Sequence, residues 1–191
     1  MEKEVNTLKP YEFNKEFFED IKGTDYDALK EDIKQNGIKV DLHVTKSNTI
    51  LCGHQRWEIA KELKLKSVPV KVIDIDEKNE GVVKEYVIKD NLLRRQLTPE
   101  QKFPLIAELS KIYETPRVGM TYNKISDAEV ASEKKENVLT KTARETGVSE
   151  RTVASARKYT DLIKKSPELK TKKVTEVLNN YEIKEDRVVR K

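Results

Sequence analysis

The sequence predicts an α+β chain: a small mixed-sheet N-terminal domain followed by an all-α domain built around a helix-turn-helix. Three observations predict it. Short apolar runs with a period of two alternate with helical periodicity between Asp27 and Leu93, whereas only helical periodicity follows Thr98. A polar stretch over 114–137, containing Pro116 and Gly119, separates the two patterns. The charge is also uneven: residues 141–191 hold 14 Lys and Arg against 8 Asp and Glu, a net of +6, while residues 1–140 hold 24 against 26, a net of −2. The expected organisation is a sheet-containing domain over 1–97, a connecting helix over 98–113, a linker over 114–137 and a helical domain over 138–191.

The elements follow in order. Asp27–Asn36 reads as a helix with Leu29 and Ile33 on one face and Gly37 as its C-cap. Leu42–Thr45 and Thr49–Cys52 read as strands around a Lys46-Ser47-Asn48 turn. His54–Leu65 carries Trp57, Ala60 and Leu63 at helical spacing; Val68, Val70 and Val72 alternate as a buried strand; Glu80–Leu93 is a helix with Val83, Val87 and Ile88 inward. Thr98 caps a helix to about Tyr113, in which Pro104 is expected to kink the axis or delay the start. Helical periodicity resumes from Leu139 to Lys165, breaks at Ser166-Pro167, and returns in a short helix over Val174–Tyr181 before a charged tail. The stripe of Val174, Val177, Leu178 and Tyr181 is expected to dock on the helix-turn-helix rather than pair with a second subunit.

Composition narrows the function. The chain has 191 residues, 38% of them charged and 36% hydrophobic, with no internal repeat. No run approaches the length of a membrane span and the N-terminus has no apolar stretch behind its charges, so an intracellular protein without a membrane partner is expected. One cysteine excludes a disulfide scaffold, a cysteine-based zinc site is not expected either, and Cys52 reads as a core strand residue. Two histidines leave little for a histidine metal centre.

Three constellations carry chemistry. In Cys52-Gly53-His54-Gln55-Arg56 a strand ends, a glycine follows and a helix begins. Helix N-termini present unpaired N–H groups and the positive end of the macrodipole, Gly53 permits close approach, and Arg56 supplies a forked cation, with His54 and Gln55 as further donors. This is the composition of a phosphate site. In Asp90-Asn91-Leu92-Leu93-Arg94-Arg95, oxygen ligands suited to Mg²⁺ precede two phosphate-binding cations; cations closing a helix account for it equally. In Leu139–Val153, Ala143, Gly147 and Val153 have helix-turn-helix spacing and Ser149 caps the second helix. There Arg151 is the candidate base reader, Lys141, Arg144 and Lys158 are candidates for phosphates, and Ser149, Thr152 and Ser155 share the DNA-facing surface.

With these segments in hand, the chain resembles ParB-like proteins of the compact type found on phages, plasmids and mobile elements. Their N-terminal domain has the ParB/sulfiredoxin fold. The resemblance runs over about residues 5–165 through Leu29–Gly37, Gly53-His-Gln-Arg56, Asp90-Asn-Leu-Leu-Arg94 and the helix-turn-helix. It implies a nucleoside triphosphate, CTP or ATP, with Mg²⁺: Gly53, His54, Gln55 and Arg56 around the phosphates, Asp90 and Asn91 on Mg²⁺, Arg94 and Arg95 toward the nucleotide. It also implies double-stranded DNA, a homodimer and a partition ATPase as partners, a nucleoid-associated place in the cytoplasm, and a role in partition or in regulation of a mobile element. Two departures stand out: His54-Gln55 replaces the family's Glu-Arg, and Asp41 stands where its proline is expected. The alternatives are an enzyme on the same fold (a CTPase-like NTPase, a Mg²⁺-dependent nuclease, or a phosphotransferase resembling free-serine kinases) and a plain DNA-binding adaptor.

Overall fold

A computed structural model describes residues 1–18, 22–94, 97–114 and 137–191. The expected linker lies outside the described residues except for Glu114 and Asn137, as does Arg95. The chain divides into two units, Met1–Asn91 and Leu92–Lys191.

The first unit is built on five short strands: β1 (Glu2–Glu4), β2 (Lys9–Pro10), β3 (Leu42–Val44), β4 (Thr49–Cys52) and β5 (Ser67–Val72). They lie in the order β1-β5-β3-β4-β2. β1 and β5 run antiparallel, as do β3 and β4, while β5 runs parallel to β3 and β2 parallel to β4. The helices are α1 (Phe13–Phe17), α2 (Thr24–Asn36), α3 (His54–Glu62) and α4, which starts at Glu80 and runs to Arg94.

One face of the sheet makes the main core. Leu42, Val44, Ile50, Val68 and Val70 pack with Trp57 and Ala60 of α3 and with Val5 and Leu8. Side chains alternate across a strand, so His43 must point to the opposite face from Leu42 and Val44. The indole of Trp57 donates to the Val5 carbonyl at 3.0 Å, satisfying its one buried polar atom. The β3–β4 hairpin turns where expected, with Asn48 taking φ 69°.

Several elements differ from the sequence reading. β1, β2 and α1 occupy the first 18 residues, where no element was expected. β1 is Glu-Lys-Glu, with no apolar alternation to betray it; it is an edge strand held by main-chain pairing to β5. α2 begins three residues early, after Gly23 at φ 65°. α3 stops at Glu62 rather than Leu65, because Lys64 turns left-handed at φ 55°.

The second unit contains α5 (Pro99–Glu114), α6 (Val138–Thr146), α7 (Glu150–Lys165) and α8 (Val174–Asn180). Pro104 lies inside α5 and does not delay its start. Ile106, Val153 and Ala156 form one buried cluster, flanked by Leu139, Ala143 and Val148. Tyr159, Leu162, Ile163, Leu169, Val174 and Val177 form another, with Leu178 and Tyr181 at its edge. The C-terminal apolar stripe therefore docks on α7 as expected. The charged tail is not irregular: β6 (Tyr181–Lys184) and β7 (Arg187–Arg190) form a hairpin with Glu185 and Asp186 in left-handed conformations. Charged residues at the turn hid it, since the usual Asn-Gly or Asp-Gly signal is absent.

Candidate phosphate and DNA sites

The start of α3 is shaped by Gly53. It takes φ 99° and ψ 23° as the residue before the helix, a conformation that costs an L-residue about 1–2 kcal/mol. A Cβ there would lie 3.0 Å from Leu42 Cγ and 3.2 Å from Arg56 Nη2. The guanidinium of Arg56 thus folds back over the glycine, and its Nη1 donates to the Val40 carbonyl. Arg56 stays beside the first turn, whose amides have no acceptor within the helix.

The other two side chains of the motif face the protein. Gln55 is buried, on the same side of α3 as Ile59. His54 Nε2 accepts from the Tyr11 N–H at 3.1 Å, and the Asn14 amide lies 3.2 Å from its ring nitrogens while also donating to the Leu51 carbonyl. His54 therefore ties α1 to the mouth of α3. The far end of α3 is pinned to α2: Glu62 accepts from the Tyr26 hydroxyl at 2.8 Å and from Lys30 at 2.7 Å. The hydrogen bond to Glu62 pushes the Tyr26 phenol up to about 12.

The second constellation meets the first at Cys52. Asp90 reaches across from α4, and its carboxylate oxygen, a ring nitrogen of His43 and Cys52 Sγ all lie within 4.8 Å of one another. His43 Nδ1 is 3.6 Å from Asp90 Oδ1 and 2.9 Å from the Tyr86 hydroxyl. Asn91 turns its amide nitrogen back to the Val87 carbonyl at 2.9 Å. The side chain of Arg94 lies outside the described residues, like all of Arg95. Sequence reasoning set His43 aside as one of two histidines too few for a metal centre; the one available signal was a polar residue between two apolar strand positions.

In the second unit, Gly147 closes α6 at φ 69° and ψ 20°. Ser149 caps α7 by accepting from the Thr152 N–H at 3.2 Å, with the two hydroxyls 2.9 Å apart. Arg151, Ser155 and Lys158 recur at i, i+4 and i+7 along one side of α7, with Arg151 and Lys158 exposed, while Val153 and Ala156 are buried on the other. Arg144 is exposed beside Glu145 at 3.3 Å, and the Lys141 ammonium lies 4.4 Å from the Tyr113 ring centre. Lys164 sits in hydrogen-bonding reach of Lys111, and that neighbour, with burial adding to it, holds the Lys164 ammonium below the usual lysine range.

Comparison with known proteins assigns the first unit. Residues 1–88 match the family model of the ParB N-terminal domain. Its first unit is ParB-like. The chain is similar in fold to a pNOB8-like ParB N-domain (16% identity, 94% of this chain and 72% of that chain, TM-score 0.63). A C2221 crystal form of a Pnob8-like ParB-N domain gives 15% identity over 94% of this chain and 77% of that one, with a TM-score of 0.61. The C-terminally truncated chromosome-partitioning protein ParB from Caulobacter crescentus, solved with the centromeric parS site, gives 19% identity over 88% and 76%, with a TM-score of 0.53. No curated protein matches in sequence. The expected α+β class is what the structure shows, and among the described residues no helix is long and apolar enough to cross a membrane.

Proposed function

We propose that this ParB-like chain is a partition-type DNA-binding protein that holds the phosphates of a nucleotide at the start of α3. The observation that carries the nucleotide reading is the cradle itself. A left-handed glycine opens the helix, a guanidinium lies over it, and a substituent at Gly53 would collide with both Arg56 and Leu42. Helix amides, dipole and guanidinium suit a multiply charged oxyanion. His54 and Gln55 act here by fixing α3 against α1 and the core, and Arg56 is the side chain that meets phosphate by exchanging the Val40 carbonyl for an oxyanion.

DNA is proposed to bind along α6 and α7. Ser149 sets the start of α7, Arg151 meets base edges, Thr152 and Ser155 flank it, and Lys141, Arg144 and Lys158 meet phosphates. The +6 charge of 141–191 supports a polyanion partner on this unit. Homodimers, a partition ATPase and a nucleoid-associated place in the cytoplasm belong to the same reading.

The Mg²⁺ implied by the family resemblance was to take Asp90 and Asn91. The donors gathered at Asp90 do not suit it: an imidazole nitrogen and a thiol stand beside the carboxylate, whereas Mg²⁺ requires oxygen ligands in near-octahedral array. No step is routed through Mg²⁺ at Asp90.

The test is calorimetric titration of the full chain with CTP, ATP and ADP, with Mg²⁺ in the buffer, with and without double-stranded DNA. Heat is expected for at least one triphosphate and none for Arg56→Ala, which keeps its affinity for DNA. Absence of heat from every nucleotide overturns the nucleotide reading. DNA binding unaffected by nucleotide would leave a plain adaptor.

A further inference from the structure

We infer that His43, Cys52 and Asp90 form a binding site for a borderline transition-metal ion of the Zn²⁺ class, at the foot of the proposed phosphate cradle. The inference does not rest on the nucleotide reading, because its three donors belong to β3, β4 and α4 and none is a cradle residue.

The backbone explains how the donors meet. His43 and Cys52 are directly opposed across the β3–β4 pair, and the pairing is irregular between His43 and Val44. That irregularity is what brings Cys52, rather than Leu51, opposite the imidazole. α4 brings Asp90 and, one helical turn earlier, Tyr86 to the same place. The result is one nitrogen, one sulfur and one carboxylate oxygen within 4.8 Å of one another.

The dimensions suit a small tetrahedral ion. Bonds of about 2.0–2.3 Å place neighbouring ligand atoms about 3.3–3.7 Å apart. The His43–Asp90 separation of 3.6 Å already lies in that range, and closing the remaining pairs needs at most about 1 Å of side-chain movement. The donors also select the ion. Thiolate and imidazole favour Zn²⁺ over Mg²⁺, which prefers an all-oxygen shell.

The site is dry on two sides and open on the third. His43 and Cys52 are buried, whereas the Asp90 side chain keeps 13% of its exposure, so the ion enters past the carboxylate. Binding forms a metal–sulfur bond at Cys52 and releases the thiol proton to solvent. A metal on His43 Nδ1 would displace the Tyr86 hydroxyl, which lies 2.9 Å from that nitrogen, and three protein donors leave a fourth position open. Three protein ligands and one open position are the arrangement of sites that bind water or substrate.

The experiment uses the full chain, stripped with a chelator under reducing conditions and titrated with Co²⁺ in the absence of nucleotide. One equivalent should produce a near-ultraviolet thiolate-to-cobalt charge-transfer band together with intense visible bands of a four-coordinate ion. Zn²⁺ should abolish both, and a large excess of Mg²⁺ should not. Cys52→Ser should lose the charge-transfer band. His43→Gln should weaken Co²⁺ by more than the about 10–100-fold that accompanies loss of an outer-shell partner. A second measurement needs no variant: Zn²⁺ should slow alkylation of Cys52, the chain's one cysteine, at least ten-fold. Absence of the charge-transfer band, its survival in a folded Cys52→Ser, displacement of Co²⁺ by Mg²⁺, or unprotected alkylation overturns the site. Arg56→Ala should leave the cobalt spectrum intact while removing nucleotide heat, so failure of one reading is distinguishable from failure of the other.

Discussion

Replacing Gly53 by Ala tests the geometry on which the phosphate cradle depends. The φ of 99° costs an L-residue about 1–2 kcal/mol. The new methyl lies 3.0 Å from Leu42 Cγ, and Leu42 is fully buried in the sheet core, so it cannot retreat without disturbing Val44, Ile50 and Trp57. Overpacking of this kind costs about 1–3 kcal/mol. The two contributions give about 2–5 kcal/mol, a large share of the stability of a small unit. Trp57 is the chain's one tryptophan and belongs to this core, so its fluorescence in a urea titration reads the first unit alone. For a slope near 2 kcal/mol/M the midpoint should fall by about 1–2.5 M. Gly147→Ala is the control. That glycine is left-handed at φ 69° with nothing within 4 Å of an added Cβ, so only the backbone cost of about 1 kcal/mol remains, read by hydrogen exchange in α6 and α7. A Gly53→Ala loss no larger than that of Gly147→Ala would refute the collision with Leu42. The same variant should bind nucleotide more weakly, because its methyl lies 3.2 Å from Arg56 Nη2 and the guanidinium must give way.

Three other outcomes follow from the second unit. Ser149→Ala removes the cap of α7 and should cost about 1 kcal/mol, visible as faster amide exchange in its first turn. Arg151→Ala should cost about 1–3 kcal/mol on a specific DNA site, whereas Lys158→Ala should weaken all DNA alike and lower the salt-dependence slope by about 1, both measured by fluorescence anisotropy at several salt concentrations. Glu100 is held below the usual carboxylate range by its own backbone N–H and, against burial, by that of Val174. A depressed folded value gives stability that is present above the unfolded value of about 4.3 and lost as the pH falls through the folded one. Glu100→Gln should therefore flatten the loss of α8 stability as the pH falls below about 4.3, followed by hydrogen exchange at Val174 and Val177.

The elements that bury a regular stripe were legible. Val68, Val70 and Val72 alternate, Trp57 and Ala60 recur at helical spacing, and Ser149 caps the helix that carries Val153 and Ala156. β1 and β2 were not legible, because main-chain pairing to β5 and β4 needs no apolar pattern in Glu2–Glu4 or Lys9–Pro10. The terminal hairpin escaped for a related reason: its left-handed turn is made by Glu185 and Asp186 rather than glycine.

Gly53 and Arg56 were recognisable from sequence because neighbours at a strand-to-helix junction must share a site; three residues in a helix cannot part. His43, Cys52 and Asp90 are 9 and 38 residues apart along the chain, and no local spacing relates them. Their meeting depends on one irregularity in the β3–β4 pairing, which shifts Cys52 across from His43, and on the register at which α4 settles against the sheet. The sequence by itself determined the α+β order, the strand-to-helix junction at Gly53 and the basic character of the last quarter, since these depend on neighbouring residues and net charge. Only the tertiary structure decided that His54 and Gln55 face inward and that an imidazole, a thiol and a carboxylate converge, because side-chain direction across a sheet is fixed by pairing register, and long-range packing sets that register.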